Sequence, residues 1–144
     1  MTENVPRPRC NNEEDLIRAI PSPRYCNGRV SPDLFKSKAV SVNRLLITDL
    51  KTSLEIFRSA LEKPAKGVSL SGYATVQTGE LIKFVADFVK TNSDLRKRGF
   101  TVWVEAAPTE SNQGHAEIMP NITEAISFNL VTYLEKEGKI VILN

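Results

Sequence analysis

The amino-acid sequence predicts a single α+β domain, with a mixed β-sheet of about five or six strands and three helices. Three observations predict it. Helical and strand periodicities alternate irregularly along the chain, with no internal repeat. No Gly- or Ser-rich linker divides the 144 residues. A chain of this length also buries roughly 68% of the surface its unfolded form exposes, enough for a core without metal or disulfide support. Composition agrees, since 41% hydrophobic and 25% charged residues exclude a disordered tail protein and a collagen-like repeat.

The elements follow in order. The first 32 residues hold five of the eight prolines, each of which removes a ladder donor, so this segment is expected to be largely irregular, with residues 1–14 irregular or extended. Residues 15–20 (DLIRAI), closed by Pro21, read as a short strand with Arg18 at its middle. Residues 39–44 alternate Val40 and Val42 against Ser41 and Asn43, the pattern of a half-buried strand. Thr52 and Glu55 have capping-box spacing, and Leu54, Phe57 and Leu61 then mark a helix over about 53–63, stopped by Pro64. Residues 67–77 read as a long strand. Thr78 caps a second helix over about 79–90, with Leu81, Phe84, Val85, Phe88 and Val89 on one face.

A short basic helical turn over 93–98 ends at Gly99, and 100–106 is the next strand. A polar loop over 108–114 leads to a strand at 115–119. Asn121 with Glu124 repeats the capping spacing ahead of a helix that runs to about 136 and closes at Gly138. Residues 139–143 (KIVIL) are expected to be a last strand buried on both faces. Leu54, Phe57, Leu61, Phe84, Phe88, Ile140 and Ile142 are therefore counted with the core.

Charge is close to balanced overall, at +2, but residues 1–44 carry eight Lys/Arg against five acids and the rest eleven against twelve. No run of about 18 apolar residues exists and the first ten residues lack the apolar middle of a signal peptide, so a cytoplasmic chain with no membrane association is expected. Two cysteines and one histidine cannot furnish a closed four-ligand zinc site, so no metal is expected. Reduced thiols are expected in that compartment. Phosphate-loop, nucleophile-elbow, metalloprotease and dinucleotide-glycine signatures are all missing, and no cofactor is expected.

Three features carry chemistry. Histidine is the side-chain type suited to proton transfer near neutral pH, and the one histidine, His115, shares a strand face with Glu117, two residues on, the arrangement of an acid/base pair. Arg18 lies in an otherwise apolar strand, so its guanidinium must reach solvent, an acidic neighbour or an anionic ligand. Arg96, Lys97 and Arg98 precede an aromatic strand holding Trp103, a pairing of cations and aromatics suited to nucleic acid, although cations also suit the last turn of a helix.

The order of short motifs adds a resemblance. Ile17-Arg18-Ala19-Ile20-Pro21, then Gly28-Arg29-Val30-Ser31, then Val40-Ser41-Val42-Asn43-Arg44, then Gly114-His115-Ala116-Glu117-Ile118 resembles a group of small uncharacterised prokaryotic proteins. That group shares an Arg-bearing strand, a GR(I/V)S loop, an LSV-like strand and an HAxI strand. This chain departs from it in the long helical stretch over 79–98. The resemblance implies an accessory domain without assigning a reaction. The arginine strand, the GR loop and the strand with a small hydroxyl residue are also similar to the N-terminal half of ADP-ribosyltransferase-like folds. That similarity implies a nucleotide pocket faced by Arg18 and Ser41, with Glu117 as the acidic residue.

Taken together, these readings favour a non-enzymatic accessory domain that docks on a larger protein through Arg18, Arg29, Ser41, Arg44 and the His115 loop. The alternative is a small nucleotide-binding or ADP-ribosyltransferase-like enzyme using Arg18, Ser41, His115 and Glu117. The third is nucleic-acid binding through Arg96, Lys97, Arg98 and Trp103.

Overall fold

The computed structural model describes residues 6–64 and 66–143. Among them, strands β1 (Asp15–Pro21), β4 (Val40–Arg44), β5 (Leu70–Gln77), β6 (Trp103–Ala106), β7 (His115–Met119) and β8 (Ile140–Ile142) form one sheet, in the order β6-β7-β4-β1-β5-β8. A separate hairpin pairs β2 (Tyr25–Cys26) with β3 (Arg29–Val30). Helices α1 (Leu50–Leu61), α2 (Thr78–Thr91), the short α3 (Ser93–Lys97) and α4 (Glu124–Lys136) complete an α+β fold. The mixed sheet resolves as antiparallel at every pairing.

Strand alternation sorts the sheet into two faces. Leu16, Ile20, Val40, Val42, Ala74, Val76, Val104, Ala116 and Ile118 point to one of them. There they meet Leu81, Val85 and Val89 of α2 and Ile126, Leu130 and Leu134 of α4 in one buried cluster. The segment between β3 and β4 is pinned to this core. Phe35 is fully buried, its backbone N–H donates to Ser127 Oγ at 2.9 Å, and Ser127 Oγ donates to Pro32 O at 2.8 Å. The opposite face carries Ile17, Ser41, Asn43, His115 and Glu117. Helix α1 packs against β1 and β5 on this second side, leaving the β4–β7–β6 half open.

Several local expectations change. Helix α1 begins three residues early because Asp49, not Thr52, is its cap: the Asp49 carboxylate accepts the backbone N–H of Thr52 at 2.8 Å. Thr123 rather than Asn121 caps α4, and no side chain caps α2. Thr78 instead donates its hydroxyl to Glu14 O at 3.0 Å, tying the start of α2 to the N-terminal segment. Leu54, Phe57 and Leu61 are half-buried, and Ser53 is the only fully buried residue of α1, because that helix covers an open half-face and not the main core. Phe84, Phe88, Ile140 and Ile142 also lie at the core margin.

Strand β8, expected to be covered on both faces, is an edge strand with Val141 39% exposed. An apolar run cannot reveal whether other elements will cover both of its faces. Of the segment 1–14, residues 1–5 lie outside the described residues. Residues 8–10 run extended along the other edge, where Ala106 N donates to Pro8 O at 2.7 Å and Cys10 N to Val104 O at 2.9 Å, so that β6 is not left unpaired. Among the described residues no helix is long and apolar enough to cross a membrane.

Candidate functional site

The site begins with register. Pairing of β4 with β7 sets Asn43 opposite His115 and Ser41 opposite Glu117, all four on the second face. The His115 ring leans diagonally to Ser41, its Nε2 lying 3.2 Å from Ser41 Oγ, while Nδ1 lies 2.8 Å from the Ala107 carbonyl oxygen. A carbonyl only accepts, so in the neutral ring Nδ1 carries the proton. Nε2 is then an acceptor and Ser41 donates to it. Ser41 is exposed and His115 half-buried.

Below this pair, Asn43 and Asn112 exchange amide hydrogen bonds: Asn43 Nδ2 donates to Asn112 Oδ1 at 3.1 Å, and Asn112 Nδ2 returns one to Asn43 Oδ1 at 2.8 Å. Asn43 is almost fully buried, and its Nδ2 also reaches Ser53 Oγ at 3.5 Å, which ties α1 to β4, while Ser53 Oγ donates to Thr48 O in the preceding loop at 3.0 Å. The loop before His115 closes on this anchor only because residue 114 is glycine. A Cβ there would overlap Thr48 Oγ1.

Arg18 enters from the neighbouring strand. Strands β1 and β4 pair at Leu16↔Arg44 and Ile17↔Asn43. Beyond those rungs the Arg18 guanidinium occupies the gap. Its Nη1 donates to Ser41 O at 2.8 Å, and its Nε and Nη2 donate to Leu34 O at 3.2 and 3.0 Å. Its partners among the described residues are therefore carbonyl oxygens and not a carboxylate. Burial first, and the charge of Arg24 second, pull its pKa down to about 10, so it stays a cation at neutral pH.

Between α1 and the sheet these groups line a cleft of about 280 Å³. Arg18, Ser41, Asn43, Asn112 and His115 furnish the polar side, and Ile56, Phe57, Ala60 and Leu61 of α1 the apolar wall. A roomier depression of about 510 Å³ runs along the outer side of α1, past Thr52, Glu55, Ser59 and Lys63. It contains neither Arg18 nor the Ser41–His115 pair. A third hollow of about 360 Å³, lined by Pro6, Arg7, Pro8 and Glu117, backs onto His115 from the other side.

Of the residues singled out in the sequence, the fold thus gathers Arg18, Ser41 and His115 and leaves the others elsewhere. Glu117 turns to the third hollow, its carboxylate 2.5 Å from Arg7 Nη1. Arg44 takes the helix-covered side, where it grips Glu14 through two hydrogen bonds of 2.7 and 2.9 Å. Arg29 is exposed on the hairpin. Arg96, Lys97 and Arg98 are exposed at the end of α3, with Arg96 Nη1 on Lys90 O at 2.9 Å. Trp103 is engaged within the fold. Arg9 lies 5.0 Å over its ring and its Nε1 donates to Glu105 at 2.8 Å, so the ring is not an open stacking surface.

Sequence reasoning missed Asn43, the Asn112 amide and the Ala107 carbonyl. Alternation along β4 does place Asn43 on the Ser41 face, a signal available from sequence; a backbone carbonyl in a loop leaves none. No family model, no curated protein and no solved structure matches this chain.

Proposed function

We propose that this chain is a ligand-binding domain whose α1–sheet cleft takes a small molecule with an anionic or carbonyl end and a compact apolar body. One observation carries the reading. The guanidinium of Arg18, matched among the described residues by carbonyl oxygens and no carboxylate, lies on the same cleft as a serine, a histidine and an apolar helix wall. A partly buried cation without a counter-charge is unfavourable, and an incoming carboxylate, phosphate or polarised carbonyl relieves it. The apolar wall suits the rest of such a ligand. At about 280 Å³ the cleft is small, so the bound group is the size of a nucleobase, nicotinamide ring or short acid and not a whole dinucleotide. Glu117 lies in the neighbouring hollow, which favours binding over ADP-ribosyl transfer at this cleft.

The test is thermal shift against nucleoside phosphates, nicotinamide mononucleotide and short-chain carboxylates. A ligand at 100 times its dissociation constant adds about 2.7 kcal/mol, a rise of roughly 8 °C at this chain length. Ala60→Trp, at an exposed position on the cleft wall, abolishes the shift without lowering the unliganded melting temperature. A flat response across the whole panel refutes the reading.

A second reading, docking on a larger protein, is favoured by the β4–α1 loop. Leu46 and Ile47 are 69% and 48% exposed there, Leu50 at the start of α1 is 41% exposed, and Leu46 borders a hollow shared with Glu13 and Asp15. The charge beside this apolar knob fits a partner with an apolar socket rimmed by Lys or Arg. Leu46→Asp with Ile47→Asp separates the two readings, because it eliminates docking and leaves the ligand shift unchanged.

A further inference from the structure

We infer that Ser41 and His115 form a nucleophile–base pair, and that the cleft catalyses transfer of a small acyl group from an ester or thioester. The inference rests on the binding reading above and adds a reaction to it.

Three features of the geometry point there. His115 Nδ1 is held at 2.8 Å by the Ala107 carbonyl, which orients the ring and leaves Nε2 unprotonated toward Ser41 Oγ at 3.2 Å. That is the nucleophile, base and orienting group of covalent acyl transfer, with a backbone carbonyl in the third position. Ser41 is exposed and lines the cleft, so a carbonyl carbon can approach Oγ. Arg18 brings positive charge to the same wall, and among the described residues three of its five N–H groups are engaged, by Leu34 O and Ser41 O.

In the step, Ser41 Oγ forms a bond to the acyl carbon and passes its proton to His115 Nε2. The carbonyl oxygen becomes an oxyanion on the side of the Arg18 guanidinium. Collapse of that intermediate breaks the bond to the alkoxide or thiolate, which leaves with the proton from Nε2. Water then attacks the acyl-serine and gives its proton to Nε2. Collapse of this second intermediate breaks its bond to Ser41 Oγ, which takes the proton back from Nε2, and the acid is released. The apolar wall of Ile56, Phe57 and Leu61 sets the substrate class as esters of short, uncharged acyl chains.

A fluorophosphonate probe with peptide mapping by mass spectrometry tests this on the full chain. The expected result is phosphonylation at Ser41, slowed about a hundredfold or more in His115→Gln and absent in Ser41→Ala, with all three proteins melting cooperatively. An unlabelled Ser41 in the wild-type chain, which needs no variant, overturns the inference. Labelling of His115→Gln at the wild-type rate overturns it too. If Ser41 stays unlabelled while the ligand panel still raises the melting temperature, acyl transfer fails and the binding reading stands. If both fail, the cleft reading falls with it.

Discussion

Replacing Glu14 by Gln perturbs the junction of three elements. Glu14 is 5% exposed, and its carboxylate accepts two N–H groups of Arg44, at 2.7 and 2.9 Å, and the backbone N–H of Asn11 at 2.8 Å. Its carbonyl oxygen accepts from Thr78 N at 2.8 Å and Thr78 Oγ1 at 3.0 Å, so the residue joins the N-terminal segment, β4 and the start of α2. Glu14→Gln keeps the shape and strips Arg44 of its counter-charge. Removing one partner of a buried pair costs about 3–5 kcal/mol. The Arg44 side chain retains 19% exposure, so water screens the orphaned cation and the lower end, about 3 kcal/mol, applies. At roughly 3 °C per kcal/mol for a chain of this length, the melting temperature falls by about 10 °C.

Urea denaturation of the wild type, Glu14→Gln, Arg44→Met and the double variant measures the pair, and the double variant loses less than the two singles added together. The hydrogen bonds from Arg44 hold the Glu14 carboxyl below its ordinary range, against burial and with help from the Asn11 amide. A lowered folded-state pKa stabilises above the unfolded glutamate value of about 4.3. The wild-type advantage over Glu14→Gln is therefore complete at neutral pH and disappears as pH falls through the folded value. A Glu14→Gln variant within about 1 kcal/mol of wild type at neutral pH refutes the reasoning. So does a gap that persists undiminished into strong acid.

Two other substitutions test the packing. A Cβ on Gly72 meets the backbone oxygen of Val141, which cannot swing aside as a side chain would. Gly72→Ala therefore displaces β8, costs about 1–3 kcal/mol and speeds amide exchange in Ile140–Ile142 before β1; equal exchange in both strands contradicts this. Ser127→Ala leaves the Phe35 N–H and the Pro32 carbonyl without their 2.9 and 2.8 Å partner. It lowers stability in urea by about 1–3 kcal/mol, and an unchanged midpoint rules out the proposed pinning of that segment to α4.

Much of the fold was legible because its signals are local. Each of the six strands of the main sheet and each of the four helices falls within a few residues of its periodic segment, since a two-residue or 3.6-residue apolar period needs no knowledge of the partner. The β2–β3 hairpin went unread although its turn signal was present. Asn27 and Gly28 both have positive φ, 55° and 76°, as the tight hairpin turn requires. Its strands are two residues each, too short for alternation to register. The cap of α1 was misplaced because Thr52 and Glu55 have the right spacing, yet Asp49 is where the chain turns into the helix. The candidate site was legible one residue at a time. Arg18 and His115 each stood out for its own chemistry and Ser41 through a resemblance, and nothing local distinguished them from Arg29 and Arg44, which lie elsewhere.

By itself, then, the sequence determined that this chain builds an α+β domain, where the strands of its main sheet and its α-helices begin and end to within a turn, and which side chains carry unusual chemistry. Only the tertiary structure decided strand order, the exposed edge at β8, and the register that sets Ser41 and Asn43 against Glu117 and His115. It also decided that Arg18 fills the gap between β1 and β4 and that Ala107 orients the His115 ring. The physical reason is range. Periodicity records which face of a segment leaves water, whereas register depends on residues more than 70 positions apart, such as Ser41 and His115, meeting when the whole core closes.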